Sequence, residues 1–289
     1  MKKLFISADS TADITPEMQS ATNVSIIRFN AIIQNMSVTD EIKTPEETKS
    51  LLSLADKYGF IINPPTVSQY EEYFDELADN EGDILHISCG SEFSDAYSRA
   101  EKAARNTMVK FRKVKIYVLD SHSLGAGQAL ILDYAIANSY KNLPHEEIFV
   151  NLIELTPRVE QYFIMSDANN YFRAFPVSGK SRTDKSGYVS YVTVNDAGKP
   201  LSPRKTPSFA TACKIIADSH RSGAAEHAVY IYGGADVNLL LKAVGSLRRR
   251  ACPDIRMSSM GLCNCLALGG NSVSVSFPGN PPKAAVKRI

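Results

Sequence analysis

Ile84-Leu85-His86-Ile87-Ser88-Cys89-Gly90-Ser91-Glu92-Phe93-Ser94-Asp95-Ala96-Tyr97 is the stretch on which the fold is read. Ile84 to Ile87 is a short apolar run of the kind that is covered on both faces in a parallel sheet. It empties into a small, hydroxyl-rich turn, Ser88 to Ser91. A helix is predicted to begin near Ser94 and run to about Ala104, with Ala and Tyr on its packing face and charges opposite. Free backbone N–H groups at a helix start, next to serine hydroxyls, form a seat for an oxyanion or carboxylate. Taken locally, capping of the helix by Ser91 or Ser94 is the simpler role, and the rest of the chain decides whether a ligand is held as well.

Two further turns of the same kind flank this one. Leu4 to Ala8 reads as a strand that ends in Asp9-Ser10-Thr11-Ala12-Asp13, and Val114 to Asp120 reads as a strand that ends in Asp120-Ser121-His122-Ser123. A first helix is expected to open at Thr15-Pro16-Glu17. Val24 to Ile33 is β-prone, and Thr44-Pro45-Glu46-Glu47 is a capping-box start to a helix reaching Lys57. The connector Asn63-Pro64-Pro65-Thr66-Val67-Ser68-Gln69 leads to a helix over 70–78, and a Gly- and Ala-rich helix is expected over 124–140. Strand and helix in alternation predict a mainly parallel, doubly wound sheet, with all three turns at strand carboxyl ends, where open α/β sheets bind ligands. Pro144-His145-Glu146-Glu147 opens one more helix. After Thr156-Pro157 the texture changes: strands are expected at 159–165, 189–194 and 228–234, helices at 207–217 and 236–250, and two apolar segments flank Gly269-Gly270. The expected architecture is therefore two α/β domains, residues 1–157 and 158–289, with a ligand cleft between them.

With 289 residues, 44% of them hydrophobic, the chain can bury a large core. A formal net charge of +1 gives no reason to expect nucleic acid or an anionic membrane as a partner. Apolar runs fall short of the ~20 residues of a membrane span. Few apolar residues follow Met1-Lys2-Lys3 before Asp9, so no signal-peptide core is expected. Five cysteines at loose spacing fit a reducing cytoplasm better than a disulfide framework.

In the order and spacing of these motifs the chain resembles the DegV family of bacterial lipid-binding proteins over nearly its whole length. The likeness rests on Asp9-Ser10-Thr11-Ala12-Asp13, Val38-Thr39-Asp40, Thr66-Val67-Ser68-Gln69, Ser91-Glu92-Phe93-Ser94-Asp95-Ala96-Tyr97 (typically Ser-x-Leu-Ser-Gly-Thr-Tyr) and Asp120-Ser121 with its Gly-rich helix. The resemblance implies one long-chain fatty acid of the palmitate, stearate or oleate class, buried between two α/β domains. Its carboxylate would be held by hydroxyls and N–H groups, and it would be presented to a separate ATP-dependent fatty acid kinase subunit. It implies no catalytic residue, metal or cofactor in the chain itself. Ser91 and Ser94 fall where the carboxylate is gripped, with Ser68 and Thr66 nearby; Gly90, His122 and Arg173 complete the expected neighbourhood. Val67 stands where the family has Thr, Asp95-Ala96 where it has Gly-Thr, and Ala267-Leu268-Gly269-Gly270 where a His precedes Thr-Gly-Pro-Gly. Loss of one such donor to a buried carboxylate corresponds to about 1–3 kcal/mol.

Other chemistries can be weighed on the same residues. Asp9, Asp13 and Asp120 at strand ends could hold Mg²⁺ in a metal-dependent small-molecule enzyme, although Asp at such positions is more often a turn former. Cys263-Asn264-Cys265 would turn both thiols to one side if it were a strand, but no further ligands complete a zinc set. His86, inside an apolar strand, reads as a satisfied core histidine, whereas His122 is the histidine on the binding edge. Gly125-x-Gly127 lacks the dinucleotide fingerprint, there is no P-loop, and no Gly-x-Ser-x-Gly elbow supports a serine hydrolase. The reading that covers most of these features is a cytoplasmic fatty-acid carrier, with no nucleic-acid partner and no integral membrane association.

Overall fold

The computed structural model describes residues 2–15, 19–20, 24–141, 143–175, 188–195, 197–223, 227–250 and 254–279. The helix start expected at Thr15-Pro16-Glu17 and the polar segment 178–187 lie largely or wholly outside them.

Four strands form the first sheet: β1 (Leu4–Asp9), β2 (Ser25–Ile27), β6 (Asp83–Ser88) and β7 (Ile116–Asp120), in the order β2-β1-β6-β7. All their pairings are parallel, as the alternating pattern predicts. Every residue of β6 is buried, which explains why it reads as a continuous apolar run rather than an alternating one. The β-prone stretch 24–33 is divided at Arg28-Phe29. Its second part becomes β3 (Asn30–Ile33), which with β4 (Met36–Thr39) and β5 (Phe60–Asn63) makes a small antiparallel sheet, β4-β3-β5. Between β4 and β5 runs α1 (Pro45–Tyr58), opened by the expected capping box between Thr44 and Glu47. A second capping box, Thr66 with Gln69, opens α2 (Val67–Ala78) three residues earlier than its apolar pattern suggested.

The second half holds a six-stranded mixed sheet, β10-β9-β8-β13-β11-β12, built from β8 (Val159–Met165), β9 (Val189–Thr193), β10 (Arg204–Thr206), β11 (Val229–Gly233), β12 (Ile255–Ser259) and β13 (Ser272–Pro278). Only β11 and β12 pair in parallel; the other pairings are antiparallel.

Helices give the stacking of layers. α2 and α3 (Ala96–Lys110) cover the outer face of the first sheet through Tyr70, Phe74, Ala100, Ala103 and Ala104. α7 (Phe209–Gly223) and α8 (Val237–Arg248) cover the outer face of the second through Ala212, Ile216, Leu240, Ala243 and Leu247. Between the two sheets lies α4 (Ala126–Ser139), which touches β1 and β6 on one side and β8, β11 and β13 on the other. A helix enclosed on both sides must be apolar all round, and α4 buries Ala126, Ala129, Leu130, Ile131, Leu132 and Ala135 together with Gln128 and Asn138. Gly125, just before it, has φ +58, a backbone state that costs glycine nothing. α5 (His145–Leu155) packs beside α4 and β7.

The structure corrects one expectation. Cys263-Asn264-Cys265 is helical, within α9 (Leu262–Leu268), rather than a strand. All seven residues of α9 are buried, so there is no polar face to announce a helical period. Residues two apart on a helix also point in opposed directions, so the two thiols do not share a side.

Candidate functional site

At the carboxyl edge of the first sheet, Asp9 ends β1 with no exposure. Its Oδ1 accepts the Tyr70 hydroxyl at 2.5 Å, and its Oδ2 accepts the Ser88 hydroxyl at 2.9 Å and the Cys89 N–H at 2.7 Å. Burial, with the Asp9 charge added, pushes Tyr70 well above its ordinary range, so it stays a donor. His86 Nδ1 lies 2.9 Å from Ser7 Oγ and its Nε2 lies 3.3 Å from Asp9 Oδ1. Serine, histidine and aspartate thus stand in catalytic order, yet all three are wholly buried and the Nε2 contact lacks hydrogen-bond geometry. The group is a core network that fixes the end of β6.

Four residues further, the same turn reaches the other half of the molecule. Asp13 accepts the Gly261 N–H on Oδ1 and Asn264 Nδ2 on Oδ2, both at 2.7 Å. Asp40 accepts the Cys263 N–H at 2.8 Å and the Ser10 hydroxyl at 2.7 Å. Two carboxylates from the first half therefore satisfy the free N–H groups that start α9. Burial, then the Asp40 charge, pushes Asp13 well above the usual carboxylate range, and burial also raises Asp40. Asn264 Nδ2 in addition donates to the Thr11 carbonyl at 2.9 Å.

Directly above this latch is a cavity of about 380 Å³, near the lower end of the roughly 300–1,000 Å³ common for small-molecule sites. Its interior is lined by Phe29, Cys89, Leu124, Phe175, Cys263 and Ala267, and its mouth by Ile61, Pro64, Ser94, Asp95 and Arg173. Phe93 closes one wall. The two polar groups deep inside already have partners: Thr11 donates to Gln128 Oε1 at 2.8 Å, and both Asn264 Nδ2 protons are engaged. At the mouth the position differs. Ser94 Oγ accepts the Ala96 N–H at 3.1 Å, and its own proton has no acceptor among the described residues. Asp95 is held by Arg99, with Oδ2 at 2.8 Å from one guanidinium nitrogen and 3.0 Å from another. Arg173, on the short helix α6 (Asn169–Ala174), enters no ion pair among the described residues. A hydroxyl donor and an unpaired cation thus stand over an apolar interior, a combination suited to one carboxylate with a hydrocarbon tail.

Of the residues singled out from the sequence, the structure brings Ser94 and Arg173 together in this cavity. Ser94 Oγ also accepts the Ala96 N–H at the start of α3, which leaves its own proton available at the cavity. Ser91 is exposed on the far side of the turn, where its N–H donates to Asp120 Oδ1 at 3.0 Å. Gly90 shapes that turn by lying against Ser123 and His122. Thr66 and Ser68 are exposed at the start of α2, with Thr66 engaged in its capping box. His122, at φ +49, is half-buried beneath the turn at Gly198. None of these five lines the cavity. Thr11, Cys89, Phe93, Phe175 and Asn264 do line it without having been singled out as ligand contacts. Thr11 and Cys89 had a usable signal in the strand-end turns after β1 and β6, and Phe93 in the Ser91–Tyr97 motif; Phe175 and Asn264 had none.

The three strand-end aspartates do not converge: Asp9, Asp13 and Asp120 each face their own donors. No cluster of three His, Cys, Asp or Glu side chains suited to a metal occurs among the described residues. Cys89 and Cys263 face the cavity as buried thiols pushed well above their ordinary range, by burial first and by Asp9 and Asp40 respectively, which makes them poor nucleophiles. No helix of the described residues is long and apolar enough to cross a membrane.

Comparison with known proteins agrees with this architecture. The model of a family described as an uncharacterised protein of the DegV family matches residues 3–174. A DegV domain-containing protein of Staphylococcus aureus (strain COL) is 21% identical over 178 residues, 62% of either chain. The match thus spans just under two thirds of that curated relative. A DegV family protein from Eubacterium eligens loaded with heptadecanoic acid superposes with a TM-score of 0.84 at 16% identity, over 96% of this chain and all of that one. A stearic acid-binding protein from Eubacterium ventriosum gives 0.83 at 15% identity, over 98% of this chain and all of that one. Likeness at this identity establishes the shared fold, here two sheets around a central helix.

Proposed function

The chain belongs to the DegV family, and from that premise we propose that it is a cytoplasmic carrier of one long-chain fatty acid, held where its two halves, residues 1–157 and 158–289, meet. The observation that carries this reading is the cavity mouth, where among the described residues the Ser94 proton has no acceptor and the Arg173 guanidinium no ion pair, over an apolar interior. Solved structures of similar fold that are described as binding stearic or heptadecanoic acid support it. Because the deep polar groups are already satisfied, the carboxylate lies outward at Ser94 and Arg173 and the tail inward. Affinity comes mainly from the tail, at about 0.8 kcal/mol per buried methylene, while the mouth fixes orientation.

With its head group facing solvent, the bound acid is placed for a separate ATP-dependent kinase to phosphorylate, and the chain itself performs no chemistry. The sealed Ser7–His86–Asp9 network and the weak thiols of Cys89 and Cys263 are consistent with that division. The test is native mass spectrometry of protein purified from bacteria, then of delipidated protein titrated with saturated and unsaturated acids. A one-to-one adduct is expected, weakened roughly fivefold in Arg173→Gln, for about 1 kcal/mol at an exposed charged contact. Failure of every acid to bind would remove the reading. The kinase step is tested separately, by acyl phosphate formation from the loaded protein, ATP and a fatty acid kinase catalytic subunit.

A further inference from the structure

Two parts of the cavity rim lie beyond the reach of any sheet ladder, and what ties them bears on how an acid passes; this inference rests on the fatty-acid reading above. One is the connector between β5 and α2. Pairing of β5 with β3 ends at Asn63, and Pro64 and Pro65 follow with no N–H to give. Pro64 is half-buried and Pro65 buried, so their carbonyls need a donor from elsewhere. The other is the turn between β6 and α3. Its start is anchored by the Gly90 N–H to the Ser123 carbonyl at 2.9 Å and by the Ser91 N–H to Asp120 at 3.0 Å. Ser94 and Asp95, which line the mouth, stand at its other end.

Arg99, in the first turns of α3, joins the two. Its Nε and one terminal nitrogen donate to Asp95 Oδ2 at 3.0 and 2.8 Å, and its other terminal nitrogen donates to the Pro64 and Pro65 carbonyls, both at 3.2 Å. Among the described residues no other hydrogen bond runs from residues 63–66 to residues 89–99. Bonds between α2 and α3 resume farther along the helices, from Asn106 to Glu71 and from Thr107 to Asp75. With its side chain 31% exposed, the guanidinium keeps contact with water, so its bonds break without stranding a bare charge in the interior. We propose that Arg99 is a positioning residue that ties these two parts of the rim together, and that an acid enters and leaves the cavity when the tie opens. An acid meets the same opening in both directions, so loosening the tie speeds association and dissociation alike and leaves their ratio unchanged.

The test follows a fluorescent long-chain polyene acid by stopped flow on delipidated protein, with its dissociation constant measured separately at equilibrium. Wild type is compared with the double variant Asp95→Asn/Arg99→Met, which removes cation and carboxylate together and so keeps the net charge at the mouth. Both rate constants should rise roughly fivefold, the equivalent of about one net hydrogen bond, at an unchanged dissociation constant. Thermal unfolding identifies a variant that does not fold. Arg99→Lys, whose point-like ammonium lacks the fork that spans both sides, then keeps the comparison available with the same sign expected. Rates equal to wild type in every folded variant would overturn the inference while leaving fatty-acid binding intact. Faster dissociation alone, with weaker binding, would also overturn it, by making Arg99 a support of the bound acid rather than of its passage. Absence of binding by any acid would instead remove the fatty-acid reading, and this inference with it.

Discussion

Replacing Gly261 by Ala tests the latch between the two halves by sign as well as by size. Gly261 has φ −68 and ψ 169, a conformation that alanine adopts freely. With nothing in the way, the substitution would stabilise the protein by about 0.4–1 kcal/mol, because alanine restricts the unfolded chain. A Cβ at this position, however, would lie 3.0 Å from Asp13 Oδ1 and 3.0 Å from Asp40 Oδ1. Neither oxygen can retreat freely, since Asp13 is held at 2.7 Å by Gly261 and Asn264 and Asp40 at 2.8 Å by Cys263. Overpacking of this kind costs about 1–3 kcal/mol, which leaves a net loss of roughly 0–2.6 kcal/mol, centred near 1.3, once the entropic gain is subtracted. Urea unfolding should show a lower midpoint with an unchanged slope. Acyl-chain binding should weaken in parallel, because Cys263, Asn264 and Ala267 reach the cavity from the helix that would be displaced. A stabilising Gly261→Ala would mean that the two carboxylates do not grip the start of α9 as described.

Three further outcomes follow from the same contacts. Tyr70→Phe removes one of three donors to the buried Asp9 carboxylate and should cost about 1.5–3 kcal/mol by urea unfolding; less than about 0.5 kcal/mol would show that Asp9 is satisfied without it. Leu130→Ala, at a wholly buried position on the helix between the two sheets, should cost about 2–5 kcal/mol, and a loss typical of a surface site would contradict that burial. Asp13 and Asp40 are raised in the folded protein, so at a pH between their unfolded and folded values the folded state holds more protons than the unfolded chain. Their contribution is therefore complete below the unfolded value of about 4 and is lost as pH rises through the folded values. Asp83, Glu47 and Glu146 are shifted downward and act only at more acidic pH. Stability measured above about pH 5 should accordingly fall as pH rises through the range where Asp13 and Asp40 lose their protons, and a urea midpoint that climbs steadily across it would refute the assignment.

What could be read in the sequence was the part governed by neighbours in the chain. The β6 run, the capping box at Thr44 and the alternation that makes the first sheet parallel all depend on residues within a few positions of one another. The misread segment, Cys263 to Cys265, depends on partners far away: Gly261 and Cys263 take their carboxylates from Asp13 and Asp40, separated from them by 248 and 223 residues. A seven-residue, wholly buried segment with Asn264 as its one polar residue carries too little period of its own to separate buried helix from buried strand, so the distant capping groups decide it. The cavity was hidden for the same reason. Thr11, Phe93, Phe175 and Asn264 meet only after the two halves close on each other, whereas Ser91 was read from its place in the motif and is turned away by the bond of its N–H to Asp120.

The polar groups near the cleft divide according to whether they are already satisfied, and under the proposed reading that division would give an acid its direction. Asp9, Asp13 and Asp40 each accept at least two hydrogen bonds and are buried almost completely. A carboxylate brought beside them would find their backbone and side-chain donors already engaged, in surroundings where unpaired charge is at its most unfavourable. Thr11 and Asn264 project into the cavity, but their protons are engaged. Ser94 and Arg173 are the lining groups with a proton to give that no described residue accepts. A tail-first acid therefore satisfies every group it meets, the apolar wall with methylenes and the mouth with its charge, whereas a head-first acid would leave its carboxylate unpaired deep inside. The shielding of Asp95 by Arg99 matters here: breaking it with Arg99→Gln would leave an uncompensated carboxylate beside the head group. That variant should weaken acid binding at neutral pH, and unchanged affinity would show that the Arg99 shield does not act on the bound charge.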